Sequence, residues 1–213
     1  YAIRRLSEEE NQYREKNRLG LLQFNHTIHD PDVVQNFPES LLKIMATDPN
    51  EPRKGPWKVT HQPGVYERFL EYCPDKKLRW NVWLLYVQLC SPYGEKSINT
   101  GMNVLNIREM RNEKAKILGY ETFADMSMET KMLKSRDNVN KMITSLLERA
   151  RPIQDIEVEK LEDFAKERGF DVALDYCDIP YWTRKQKKAL YNIDDEEIRD
   201  YFPLPVVLQG LFE

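Results

Sequence analysis

The sequence predicts an all-α fold, a multi-helix antiparallel lobe, and three observations lead there. Apolar residues recur at spacings of three and four from Glu8 to Leu211, the repeat of helices that bury one face. Alternation with period two never lasts the length of a full strand. Capping residues and stopping glycines or prolines punctuate the chain at intervals that suit helices of ordinary length.

Residues 7–27 are expected to form the first helix. It starts at Ser7 with Glu8, Glu9 and Glu10 in its opening turn, where carboxylates complement the helix dipole, and Gly20 weakens its middle. Proline and charge then divide residues 30–62 into short pieces, and Asp48-Pro49-Asn50-Glu51-Pro52-Arg53-Lys54-Gly55-Pro56 is the clearest loop. Trp57, Val59 and Thr60 form a short extended piece at most. Pro63 opens a helix with Tyr66, Phe69, Leu70 and Cys73 on one side. Pro74 ends it and sits in the first turn of the next, whose broad apolar face is Leu78, Val82, Leu85, Tyr86 and Leu89.

After the break at Ser91-Pro92-Tyr93-Gly94, a helix from about Thr100 to Leu118 turns Val104, Ile107, Met110, Ile117 and Leu118 inward and stops at Gly119. Thr122 caps a short helix. Asp137 caps the following one, with Val139, Met142, Ile143, Leu146, Leu147 and Ala150 as its amphipathic stripe. Pro152 separates that helix from another carrying Ile156, Leu161, Phe164 and Ala165, stopped by Gly169, and the two are expected to lie antiparallel. A further helix begins at Pro180. Near the end, Asp194 caps a helix with Glu197 as reciprocal partner and Ile193 stapled to Ile198. The expected organisation is one helical region, 1–213, in which 1–56 holds a peripheral helix and proline-rich loops and 57–213 forms the main lobe.

Composition removes several function classes. With 32 basic and 35 acidic residues the formal net charge is -3, so neither the one-signed field of a nucleic-acid binder nor a polybasic membrane anchor is expected. No apolar run approaches the roughly 20 residues of a membrane span. Three cysteines, Cys73, Cys90 and Cys177, fit neither a disulfide framework nor a Cys-based zinc site. Asn25-His26-Thr27 is a formal glycosylation acceptor whose use is not expected. The first residue is Tyr, so a processed N-terminus is expected, with a cytoplasmic location or a mitochondrial one after removal of a targeting peptide.

The reagents of catalysis are scarce. His26, His29, Asp30 and Asp32 would share a helix face only if the first helix ran to residue 29, and the plainer expectation is a solvated helix end. His61 is expected at the surface. The chain contains no His-Glu-x-x-His, Gly-x-Ser-x-Gly, phosphate loop or dinucleotide fingerprint. Arg184, Lys185, Lys187 and Lys188 follow Tyr181 and Trp182, a pattern that stacks bases or holds carboxylates but more simply describes a half-buried helix. No catalytic, cofactor-binding or metal-ligating residue is therefore assigned.

Four segments in order carry a resemblance: WKVTHQPGVYERFLEY, NIREMRNEKAKILGYETFADMSMETKM, LLERARPIQDIEVEKLEDFA and DYCDIPYWTRKQKKALYNIDDEEIRDYFPLPVVLQGLF. Over residues 57–213, with a weaker echo in EEENQYREKNRLG, the chain resembles the thimet oligopeptidase and oligopeptidase A family of zinc metallopeptidases. The resemblance implies a nearly all-helical two-lobed parent that hydrolyses short peptides in a deep channel, with this chain in the lobe that lacks the metal. Arg108, Arg111, Glu113, Ala115, Leu118 and Gly119 match the family's Arg-rich helix. Tyr176, Asp178 and Tyr181 stand where the family tends to have Trp-Asp-x-x-Tyr, with Cys177 and Trp182 as departures.

Zinc is implied for a full-length parent and not for these residues, since His26, His29 and His61 do not match the family's ligands. Expected partners are short peptides or the missing catalytic lobe, with self-association through the apolar stretch 201–213 as a further expectation. On this reading the chain is a fragment without activity of its own. The alternative is a naturally truncated homologue that binds peptides or proteins as an inhibitor or scaffold.

Overall fold

The computed structural model describes residues 2–62 and 64–212. In chain order the elements are α1 (Ala2–Gln23), β1 (Asn25–Ile28), α2 (Pro31–Val34), α3 (Glu39–Met45), β2 (Trp57–Thr60), α4 (Tyr66–Tyr72), α5 (Lys76–Val87) and a 3₁₀ turn (Lys96–Ile98). There follow α6 (Gly101–Ile117), α7 (Phe123–Met128), α8 (Arg136–Lys166), α9 (Ile179–Tyr191), α10 (Asp195–Asp200) and α11 (Leu204–Phe212). The fold is predominantly helical, as the spacing predicts. Contacts divide it into two units, one joining the chain up to Phe24 with Leu84–Val158, the other joining Asn25–Trp83 with the chain from Glu159 onward.

In the first unit α1 packs along α6. Ser7 does not start α1 but lies inside it, donating its hydroxyl to the Ile3 carbonyl. Gly20 also has a different meaning from a weak point: a Cβ there would stand 2.6 Å from Cys90 Sγ and 3.3 Å from Leu89 Cγ. The helix approaches the loop after α5 so closely that only hydrogen fits. Lys16 Nζ donates to the Asn99 carbonyl (3.0 Å) and to Asn103 Oδ1 (2.8 Å), while Asn103 Nδ2 donates to Glu9 Oε2 (2.8 Å). This polar seam replaces much of the apolar face expected of α6. Ile107 and Ala115 are buried, whereas Val104, Ile117 and Leu118 are exposed. Leu85 of α5 is likewise exposed. Gly119 stops α6 with φ of 86°, and Thr122 caps α7 by accepting from Asp125 N.

Pro152 does not end a helix. It sits inside α8, whose 31 residues run unbroken, so the expected antiparallel pair is one helix. An interior proline costs roughly 3 kcal/mol. A break would instead create two termini, each leaving up to about four backbone groups without helical partners, in a stretch of good helix formers on both sides. Asp137 is inside the helix, and Ser135 Oγ takes the capping role by accepting from Asn138 N (3.2 Å).

The second unit contains the departure from an all-helical reading. β1 and β2 pair antiparallel, with Asn25 opposite Thr60 and Ile28 opposite Trp57. Trp57 and Val59 point into the core and Lys58 outward. Four-residue strands that pair across an excursion of about thirty residues leave too short an alternation to stand out in the sequence. Trp57 also donates its indole N–H to the Pro52 carbonyl (2.8 Å), which ties down the proline-rich loop. Leu41, Leu42, Met45, Val59, Val65 and Phe69 are fully or almost fully buried in this unit. The expected helix start at Pro63 lies outside the described residues; α4 begins at Tyr66, after Gly64 N donates to Glu67 Oε2 (3.1 Å). Pro74 precedes α5 rather than entering it, and Asp75 caps that helix through Leu78 N (3.0 Å).

A second buried cluster joins Leu161, Phe164 and Ala165 to Tyr181 and Trp182, with Phe170 and Leu174 packed against it. The Trp182 indole N–H has no hydrogen-bond partner among the described residues. Beside it lies the central ion pair. Arg79 (1 % exposed side chain) donates Nη2 and Nε to Asp178 Oδ1 (2.6 and 3.2 Å), while Asp178 is 0 % exposed. Arg79 Nη1 donates to the Cys73 and Pro74 carbonyls (2.8 and 3.1 Å), and its guanidinium lies 4.4 Å from the Tyr181 ring centroid. Asp178 Oδ2 accepts from Asp175 N (3.2 Å) and faces Lys76 Nζ at 3.5 Å.

Removing one member leaves the other charge buried, so Asp178→Ala and Arg79→Ala are each expected to lower stability by about 3–5 kcal/mol. The double variant is expected to cost clearly less than the two losses added together. Urea unfolding followed by circular dichroism measures all three, and strictly additive losses would show that the pair is not coupled.

Candidate functional site

α1 and α6 each present a helical face to a cleft in the first unit. On α1, Glu10, Tyr13 and Arg14 fall three and four residues apart; on α6, Val104, Ile107, Arg108 and Arg111 do the same. Phe123, the first residue of α7, is brought alongside by the cap at Thr122. The cavity has a volume of about 900 Å³, within the range of ligand-binding clefts. Its walls are mainly apolar, from Tyr13, Val104, Ile107, Phe123 and Ala124, and its charges are guanidinium and carboxylate groups.

The charges are not equally free. Arg111 donates both Nε and Nη2 to Glu10 Oε1 (3.2 and 2.7 Å) and lies 5.1 Å from the Phe123 ring centroid. Arg14 stands 3.7 Å from the other oxygen of Glu10 and donates to Asn11 Oδ1. Glu10 is thus shared between two cations. Arg108 has no hydrogen bond or ion pair among the described residues. The sequence marks Arg108 and Arg111 through the resemblance only; the contribution of α1 was not legible, because it depends on which face of α1 meets α6.

The other candidates resolve differently. His26 and Thr27 belong to β1, not to a helix continuing to residue 29, so His26 and His29 lose the shared face that would have made them joint ligands. They border a cavity of about 380 Å³ with Asp30 and Asp75, and burial pushes the His26 imidazole below its ordinary pKa. Asp30 caps α2 through Asp32 N (3.0 Å). Among the described residues no group of three or more His, Cys, Asp or Glu side chains is placed to hold a metal ion. No helix among them is long and apolar enough to cross a membrane.

The basic run of α9 is absorbed by the fold. Arg184 lies 4.1 Å from the Tyr72 ring centroid and donates to the Glu71 carbonyl (3.0 Å). Lys185 lies over Tyr181, Lys187 pairs with Asp195, and Lys188 pairs with Asp194. Cysteine chemistry is also suppressed. Burial pushes the Cys73 thiol up to about 12 and the Cys177 thiol up to about 11, and it raises Cys90 as well.

Comparison with known proteins gives these positions a family. Residues 69–213 match peptidase family M3. The chain belongs to that family. Relatives include oligopeptidase A of Salmonella typhimurium, 31% identical over 98% of this chain, and oligopeptidase A of Escherichia coli, 32% identical over 98%. The probable cytosolic oligopeptidase A of Arabidopsis thaliana is 32% identical over 89% of the chain. The chain spans 31% of the length of each bacterial relative and 28% of the plant one. The M3 match contains the cleft residues of α6 and α7 and both members of the Arg79–Asp178 pair, while α1 lies before it.

Thiolates, not thiols, react with alkylating reagents. All three cysteines are therefore expected to resist iodoacetamide at about pH 7.5 in the native chain and to react together on denaturation, as read by intact mass. Rapid native labelling of Cys73 or Cys177 would contradict the burial described.

Proposed function

We propose that this chain is the non-catalytic helical portion of a zinc oligopeptidase and forms one wall of a channel that admits short peptides. The observation that carries the reading, beside family membership, is the uncovered apolar face of α8. Met142, Ile143, Leu146, Leu147, Ile153 and Ile156 are each 46–59 % exposed along one helix. Contiguous apolar surface of this kind marks a binding face in a soluble protein. It suits a wall that selects peptides by size and extension, while the steps of hydrolysis fall to groups elsewhere in the parent.

Zinc, which the family resemblance implies for the parent, does not fit the donors present: His26 and His29 do not assemble with a third ligand among the described residues. Relatives named as cytosolic and as chloroplastic or mitochondrial support either a cytosolic or an organellar site for this chain.

The second reading is a homologue that binds peptides or proteins without catalysis. It is favoured by the cleft between α1 and α6, which is formed entirely by this chain.

Purified chain with added zinc is expected to leave a quenched fluorescent peptide intact; chelator-sensitive cleavage would overturn the non-catalytic assignment. A photoreactive side chain at position 147 is expected to capture a short extended peptide, with capture falling several-fold when Leu146 becomes Glu. Absence of capture would remove the support for a channel wall.

A further inference from the structure

We propose that the cleft between α1, α6 and α7 is a binding site for an acyl carboxylate, a single unbranched hydrocarbon tail ending in a carboxylate. The tail follows from the walls. Val104 is 50% exposed and Tyr13 36% exposed although both line a concave site, so apolar surface stands open where a ligand of matching chemistry removes it from water.

The carboxylate follows from the charge arrangement. Glu10 is already engaged by Arg111 and Arg14, and Arg111 is further fixed over Phe123. Arg108 is left without a partner at the same wall, ready to donate in parallel to two carboxylate oxygens. A second acidic residue, Glu109, neighbours Arg108 in sequence. It points about 100° further round the helix and also lines the adjoining cavity with Arg5 and Glu113. The cleft itself therefore keeps a cationic excess.

A peptide bound through its C-terminal carboxylate has the same head group but needs partners for its backbone. Of the lining side chains outside the charged groups, the Asn112 amide and the Tyr13 hydroxyl remain for that role. The Thr122 hydroxyl both donates to Asp125 Oδ2 (2.7 Å) and accepts from Asp125 N (3.2 Å), and both donors of Arg111 that approach Glu10 are committed. An aliphatic chain makes no such demand and needs only the apolar walls of Val104, Ile107, Phe123 and Ala124.

Titration calorimetry of the 213-residue chain with octanoate, decanoate and dodecanoate, below their micelle concentrations, tests the assignment. Saturable one-to-one binding is expected, tightening up to about fourfold for each added methylene. Decanol is expected to bind roughly two- to fivefold more weakly than decanoate, and Arg108→Ala to weaken decanoate by the same factor. Val104→Trp is expected to crowd the wall that the tail lies on and weaken binding several-fold. Arg108 is exposed and unpaired and Val104 is half exposed, so unchanged circular dichroism and melting will show that both variants fold. Absence of saturable binding, equal affinity for decanol, or indifference to Arg108→Ala would overturn the proposal. So would a short leucine-terminated peptide that binds more tightly than dodecanoate and competes with it.

Discussion

The second unit is organised around one buried ion pair, Arg79 with Asp178. Two charges with almost no exposure carry a desolvation penalty of several kcal/mol each, and Coulomb attraction alone does not reliably offset it. What makes the pair tenable is complete occupancy. Arg79 reaches the Cys73 and Pro74 carbonyls, which the proline-interrupted turn between α4 and α5 would otherwise leave unbonded inside the protein. Asp178 receives the Asp175 amide, so the turn entering α9 closes on the same carboxylate. The pair therefore joins two chain reversals about a hundred residues apart in sequence.

The direction of α9 follows from that anchor, and a series of polar contacts follows from α9. Arg184 lands on the end of α4, at the Glu71 carbonyl and the Tyr72 ring. Lys187 and Lys188 meet Asp195 and Asp194, and the Lys188 contact holds the Asp194 carboxyl below its usual pKa while its other oxygen caps α10. From α10, Glu196 returns to Arg68 and Ser40, which are themselves bonded to each other at 2.7 Å. Residues that in sequence look like a nucleic-acid or carboxylate-binding strip thus dock α9 on α4 and hold the start of α10. The part of the family pattern around Asp178 and Tyr181 has the same explanation: one is the buried anion, and the other lies against the guanidinium that neutralises it.

Much of this was legible from local chemistry. Caps whose donors and acceptors lie within three residues, such as Thr122 and Asp194, were readable, as were glycine stops with positive φ at Gly119 and Gly169. The sequence misleads where a choice depends on a distant partner. Gly20 reads as a weak helix position until Cys90 is known to press on it, and Ser7 reads as a cap although α1 already extends past it. Arg79 attracts no notice among the other basic residues, because nothing near it announces that it is buried. The cleft was half legible: the α6 arginines stood out within a family-like segment, but their pairing or freedom depends on Glu10 of α1.

The two uncovered apolar surfaces of the first unit call for different occupants. The stripe on α8 is a convex ridge of side chains, a shape that buries well when ridges interdigitate with another helix or when an extended chain lies along it. The cleft between α1 and α6 is concave and carries an unpaired guanidinium at its wall. A helix inserted there would have to desolvate Arg108 and supply an anion at that one place, whereas a small ligand with a charged head and an apolar tail meets both the guanidinium and the apolar wall. Shape and charge therefore separate a surface suited to macromolecular packing from one suited to a small molecule, although both expose apolar side chains.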